Sequence, residues 1–190
     1  MVPGSIPGGV ASHREAAIAA SKIELLNWDE RGVALLHAMN APEQMAHLGG
    51  PESEEKLADR QRRYLTYHQP GECEMMLVAV EGEIAGSIGY WETEWKGEKA
   101  YETGWGILPS QQGRGLGAGA TRALMARLKP VARYRYVYAY PTPDNPGSNG
   151  ICQKVGFELL GVEAAEYPKG VFSPHNIWRL DLRAFVPPPA

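Results

Sequence analysis

Apolar positions change their spacing several times along the chain, and each change marks an element. Residues 22–28 read as a first strand, and Asp29 then caps a helix running to about Met39, with Val33, Leu35 and Leu36 on its apolar side until Pro42 ends it. A second helix starts near Ser53 and passes through Leu57, Tyr64 and Leu65 toward Tyr67, with Gly71 as its break. Residues 75–80, 84–95 and 100–108 are strand-like. They are joined by Glu81-Gly82-Glu83 and Lys96-Gly97-Glu98, which predicts an antiparallel meander. After Pro109 and a glycine-rich stretch, Leu116, Ala120, Ala123, Leu124 and Leu128 recur at helical spacing until Pro130. Residues 134–140 alternate as a strand, and Asn145-Pro146 opens a short helix that Gly156 stops. Residues 157–162 and 176–182 form the last two strands. The order βααβββαβαββ predicts an α/β (α+β) domain with a mixed sheet over residues 21–183, between a flexible leader (1–20) and a flexible, Pro-rich tail (184–190).

Composition narrows the function classes. A chain of 190 residues, 44% hydrophobic and 22% charged, suits one globular domain. Its apolar runs are strand-sized, well short of the ~20 residues that span a bilayer, so no membrane placement is expected. The N-terminal stretch lacks both the basic and the apolar regions of a secretory signal. Two cysteines, Cys73 and Cys152, and five scattered histidines offer neither a disulfide framework nor a zinc site, which favours a reducing cytoplasm and no metal. A net charge of −3 argues against a nucleic acid held through its phosphates. Charge is also segregated. Acids dominate from Glu72 to Glu102, while Arg114, Arg122, Arg127, Lys129, Arg133 and Arg135 follow with no acid before Asp144. Two oppositely charged ligands would suit that division, and so would ordinary solvated faces.

The stretch Gln111, Gln112, Gly113, Arg114, Gly115, Leu116, Gly117, Ala118, Gly119 lies between a strand and a helix, where free amides and the helix dipole favour an anion such as a pyrophosphate. Glycines let the main chain approach phosphate oxygens, and Arg114 adds charge at the rim. Gly113, Gly115 and Ala118 also satisfy a loose dinucleotide fingerprint. That motif, however, needs the first strand of a βαβ unit and a later acid, and here the loop follows a meander with no acid after it.

In these residues the chain resembles the GNAT superfamily of N-acetyltransferases, whose QxxGxG signature is matched by Gln112, Gly115 and Gly117. A second family motif is matched by Asn145, Ser148, Lys154, Gly156 and Phe157, and the resemblance covers about residues 22–182. Together with Tyr167-Pro168 and the closing Trp178-Arg179-Leu180-Asp181-Leu182, it is similar to the branch holding ribosomal-protein N-terminal acetyltransferases and many small-amine or antibiotic acetyltransferases. The resemblance implies a mostly antiparallel sheet with a V-shaped opening between two central strands, and acetyl-CoA as cofactor. Pantetheine would pair with main chain at Gly106, Ile107 and Leu108. Gln112 to Ala118 would hold the pyrophosphate, with Asn145 and Ser148 on the other side. It also implies a bulged strand near Ile107 whose amide serves the developing oxyanion, and homodimers are frequent in this branch.

Acetyl transfer to an alkylamine requires removal of a proton held with a pKa of roughly 10, work suited to a carboxylate. Glu102 is the candidate base. Strand alternation places it on one face with Gly104 and Gly106, although a surface or structural carboxylate is the plainer reading. Glu92 and Glu94 are rival bases or attractors of a cationic acceptor. Trp91 and Trp95, on the opposite face of their strand, could be core or could cover the acceptor. Many family members protonate the leaving thiolate with a Tyr seven positions after the motif Asn, where this chain has Cys152. The proton could come from Cys152, Tyr140 or water, and Cys152 equally suits a small core position. Tyr134, Tyr136, Tyr138 and Tyr140 are expected on one strand face, and His175 near the acceptor or in solvent. The expected function is acetyl transfer to a primary amine of a cationic small molecule, an amino sugar foremost. Acetylation of a protein N-terminus and a non-catalytic acyl-CoA-binding module are the alternatives.

Overall fold

The computed structural model describes residues 23–166, 170 and 172–187; the expected leader and the Tyr167-Pro168 pair lie outside them. Strand β1 (Ile23–Asn27) precedes helices α1 (Arg31–Met39), α2 (Pro42–Met45) and α3 (Glu54–Leu65). Strands β2 (His68–Gln69), β3 (Cys73–Val80), β4 (Glu83–Trp95) and β5 (Glu98–Ile107) follow, then α4 (Leu116–Leu128), β6 (Tyr136–Ala139), α5 (Pro146–Val155), β7 (Glu158–Glu166) and β8 (Phe172–Asp181). Asp29 serves α1 from one position further out than expected: its carboxylate accepts the Arg31 amide at 2.9 Å while Glu30 takes the cap position. Pro42 does more than end α1. It occupies the first turn of the short α2, where its missing N–H costs nothing.

The sheet runs β1-β3-β4-β5-β6-β8-β7, with β2 added on β3, and among the described pairings only β5 with β6 is parallel. β3 is buried along nearly its whole length. Covered on both faces, it can be a continuous apolar run without alternation. On one face α4 and α5 close the main core, where Ala120, Leu124, Met125 and Leu128 meet Met76, Ile88, Tyr90, Tyr101, Val137 and Trp178. On the other, α1 and α3 bury Trp28, Leu35, Leu36 and Leu57 against Met75 and Leu77.

β5 and β6 pair only at Tyr101–Val137 and Glu102–Tyr138. β5 then continues to Ile107 with β4 alone, while the chain leaving β6 is drawn to β8, where the Pro141 carbonyl accepts the Asn176 amide at 2.9 Å. The two strands part because each keeps a different neighbour, and a V-shaped opening results. Its apex is pinned by a buried relay. The Tyr101 hydroxyl donates to the Gly71 carbonyl (2.8 Å) and accepts from the Arg133 amide (2.8 Å); the Gly71 amide donates to the Tyr90 hydroxyl (2.9 Å), which donates to Glu74 (3.0 Å). Arg127 of α4 completes it with a forked contact to Glu74.

Three expectations change here. The bulge lies on β4, where Ala85 is the extra residue beside the Val78/Ala79 shift, and β5 keeps its register throughout. Tyr134 precedes β6 and turns to the reverse face, meeting Tyr101 and donating to Glu92 at 3.0 Å; only Tyr136, Tyr138 and Tyr140 form the ladder. The packed chain also extends past residue 183, since Phe185 is buried in the main core.

Candidate active site

The inner edge of the opening is main chain. The Leu108 amide donates to the Ala85 carbonyl at 2.9 Å, so in this antiparallel pair Gly106 and Gly104 also direct their amides at β4, and Trp105 and Ile107 direct theirs away, into the opening. Of the three residues expected to pair with pantetheine, Ile107 presents its main chain there. Trp105 joins it, which only strand pairing could reveal. The Ile107 carbonyl is already engaged by the Gln112 side-chain amide at 3.0 Å, so Gln112 braces the loop against the end of β5.

Glu102 stands at the apex, half-buried, on the face shared with Gly104, Gly106 and Trp91, its cross-strand partner. A Cβ at Gly104 would press on the Trp91 ring, and one at Gly106 would collide with the Met39 side chain of α1. Burial pushes the Glu102 carboxyl above the usual glutamate range, opposed in part by a hydrogen bond from Trp91. Across the opening, Tyr140 stacks on Tyr138 with nearly parallel rings 6.0 Å apart. Its phenol is raised by burial and then by the charge of Glu102, so at neutral pH it keeps its proton.

The glycine loop leaves main-chain amides unpaired at the start of α4. Gly115, at φ +74°, turns the chain into α4; no side chain caps that helix and its first turn has no acid. The first intrahelical bond is Gly119 to Gly115, which leaves the amides of Leu116, Gly117 and Ala118 free of helix partners. Gly117 has a further reason to be glycine, because its Cβ would strike Ile151 of α5. Arg114 contacts Gln111 at the loop's rim, and the Gly113 flank is open.

The other lip is closed on itself. Asn145 caps α5 by accepting the Ser148 amide at 3.0 Å. Asn149, absent from the sequence reading, is the knot: its amide donates to the carbonyls of Thr142 and Asn145, and its oxygen accepts from Asn176 (2.6 Å) and the Trp178 indole (2.8 Å).

Several candidates are not brought to the opening. Glu92 and Glu94 alternate onto the reverse face with Tyr101, and Glu92 is taken by Tyr134 and Arg133, so neither lines the Glu102 side. Trp91 does both things expected of it: partly buried, it packs against the core beneath α1 and α3, and it shares the sheet face of Glu102. Cys152 is fully buried among core residues, and burial pushes its thiol up to about 12, which leaves it neutral and without a path to a leaving group. His175 is neither solvated nor in a loop. It lies buried on β8, two strands from β5, with Nδ1 3.0 Å from the Ser173 carbonyl. Among the described residues no cluster of His, Cys, Asp or Glu could hold a metal, and no helix is long and apolar enough to cross a membrane.

A sheet opened between parallel β5 and β6, with a glycine loop at one lip and an Asn-capped helix at the other, defines a class of acyl-transferring domain. The acetyltransferase (GNAT) domain family matches residues 22–158, well over half of the chain, and the chain belongs to that family. It is an acetyltransferase whose donor is acetyl-CoA. Among individual proteins it is similar to the ribosomal-protein-serine acetyltransferase of Escherichia coli, with 27% identity over 128 residues, 67% of this chain and 71% of that protein. The fold is shared with an acetyltransferase of Salmonella typhimurium that modifies the N-terminal serine of a 50S ribosomal subunit protein (TM-score 0.71, 24% identity, 86% of this chain and 96% of that one). It is shared as well with an aminoglycoside acetyltransferase in complex with coenzyme A (TM-score 0.65, 22% identity, 87% and 96%).

Proposed function

We propose that this acetyltransferase modifies the terminal α-amino group of a protein or peptide, with Glu102 as the base. The observation that carries the reading is the single carboxylate at the apex. Glu92 and Glu94 face the other side of the sheet; of the acids that share the Glu102 face, Glu163 and Glu158 are paired with Lys96 and Arg179, each at 2.7 Å, and Glu98 stands at the far end of β5, away from the opening. A polycationic amino sugar calls for several acids, whereas one α-amino group, with a pKa of about 8, asks for one carboxylate and little driving force. The curated relative acts on a ribosomal-protein serine, in accord with this choice.

Bound acetyl-CoA supplies an activated thioester. The main-chain groups of Trp105 and Ile107 would align its pantetheine arm, and the amides of Leu116 to Ala118, with Arg114 at the rim, would hold its phosphates. Glu102, raised by burial and therefore a stronger base, takes the proton of the incoming amine. Tyr140, protonated at neutral pH and within the electrostatic reach of Glu102, donates toward the departing sulfur. An amino-sugar acceptor is the second reading, favoured by the aromatic surface of Tyr138 and Tyr140 beside Glu102.

The test is thiol release from acetyl-CoA with peptides bearing free N-termini, aminoglycosides and polyamines, using wild type and Glu102→Gln. Peptide turnover that falls at least a hundredfold in the variant supports the proposal. Turnover confined to amino sugars transfers the assignment to the second reading, and coenzyme A binding without turnover of any amine supports a binding module.

A further inference from the structure

The turn at the end of the β4–β5 hairpin makes a contact that a flat sheet would forbid. Lys96 Nζ lies 2.7 Å from a carboxylate oxygen of Glu163, yet three strands, β5, β6 and β8, stand between β4 and β7. The contact closes because the hairpin end bends over the Glu102 face, the face to which Trp95 and Glu163 both belong. Beneath the bend lies a small apolar cluster of its own, in which Ala100, Tyr138 and Ile177 are buried and Trp95 and Tyr140 pack against them. The turn by itself does not call for a lysine. Lys96 has φ +52°, where Asn, Asp or Gly is favoured.

From this turn a row of side chains runs to the reacting centre. The Lys96 ammonium stands over the Trp95 ring, 4.4 Å from its centroid, the Trp95 ring meets Tyr138 at 5.0 Å, and Tyr138 stacks on Tyr140 at 6.0 Å with the planes 5° apart. Each ring is confined by the next, so the position of the first bears on the last. Glu163 reaches the same phenol: after burial, Glu102 and Tyr138, its charge is a further cause that raises Tyr140. Lys96 offsets that charge, which leaves the hydroxyl a better acid than it would be beside a bare carboxylate. The two side chains of the ion pair are 60% and 47% exposed, so the pair adds little to stability, and its effect is on placement.

We propose that Lys96 is a positioning residue for acetyl transfer: held by Glu163 and seated on Trp95, it fixes the aromatic row that aims the Tyr140 hydroxyl at the departing sulfur. Cleavage of the thioester C–S bond leaves a thiolate, which takes the Tyr140 proton, and water reprotonates the phenolate. The inference rests on the proposed role of Tyr140 as proton donor and deepens it.

The experiment compares wild type with Lys96→Asn, which suits the φ of the turn and removes the cation, and with Lys96→Arg, which keeps one. The first readout needs no turnover. In protein carrying 13C-labelled tyrosine, the Tyr140 ring signal, assigned by its loss in Tyr140→Phe, is expected to move in Lys96→Asn and to stay near its wild-type place in Lys96→Arg. An unmoved signal in Lys96→Asn overturns the positioning, whatever the mechanism. The second readout is turnover of acetyl-CoA with whichever of a free-N-terminus peptide and an aminoglycoside the wild type uses. Lys96→Asn is expected to lower kcat about fivefold with coenzyme A affinity and acceptor KM unchanged, and Lys96→Arg to restore more than half of it. In a Tyr140→Phe background Lys96→Asn should have no further effect on kcat. A loss that persists in that background overturns the inference, as does a change confined to acceptor KM. A signal that moves while Tyr140→Phe retains full kcat keeps the row but overturns the donor role, and with it the catalytic part of the inference.

Discussion

At the residue scale, Glu102 is the position where burial and charge conflict. Its carboxyl is raised because desolvation outweighs the Trp91 hydrogen bond. The proposed role as base requires the ionised form, so that proposal predicts that kcat/KM falls as pH drops through the raised value, with an acid limb above the ordinary glutamate pKa of about 4.3. The same conflict affects stability with a definite sign. A group whose folded pKa exceeds its unfolded value contributes least when ionised, so the cost is absent below the unfolded value and complete above the folded one. Glu102→Gln should accordingly raise Tm at pH 8 and lose that advantage near pH 4, which thermal melts at the two pH values would check. Cys152 gives the opposite prediction. Cys152→Ala should retain kcat while costing about 1–2 kcal/mol in urea melts, because its thiol fills core space and reaches no substrate. Tyr140→Phe should lower kcat about tenfold or more without changing coenzyme A affinity, since the ring stack survives and only the donated proton is lost.

At the element scale, the glycine loop is legible in sequence because its chemistry is local: strand, glycines, helix start. The individual glycines are less so. Gly117 looks like a phosphate-approach residue, yet its Cβ position is contested by Ile151, a residue of the next helix. Gly117→Ala should cost about 1–3 kcal/mol. Adding Ile151→Val should recover part of that loss, a coupling that a double-mutant cycle in urea would measure. The strands divide in the same manner. Within the β4–β5 hairpin, alternation correctly put Glu102 with Gly104 and Gly106, but whether Glu92 shares their face depends on the pairing sum across the turn, and Glu92 opposes Tyr101 instead. Tyr134 escapes the alternation because the strand begins two residues after it.

For the whole molecule, the separation of β5 from β6 is what creates a site, and the relay below it holds that separation in place. Arg127 is the only cation within contact of Glu74 among the described salt bridges, and Glu74 is almost fully buried. Arg127→Ala leaves a buried charge unpaired and should destabilise the protein by about 3 kcal/mol in denaturant melts. Because Glu74 reaches Tyr101 through Tyr90 and Gly71, it should also weaken coenzyme A binding severalfold by isothermal titration, although Arg127 lies outside the cleft.

By itself the sequence determined the longer elements and their order, the antiparallel meander, the glycine turn before α4, the cap of α5 and the shared strand face of Glu102, Gly104 and Gly106. All of these follow from contacts between near neighbours in the chain or from period along one element. Tertiary structure alone decided the rest. It set which sheet face each acid occupies, buried Cys152 and His175, put the bulge on β4, turned the Trp105 main chain into the opening, and tied Asn149 to Asn176 and Trp178. Those outcomes depend on registers between strands and on helices packing from opposite sides, where residues far apart in sequence compete for the same space.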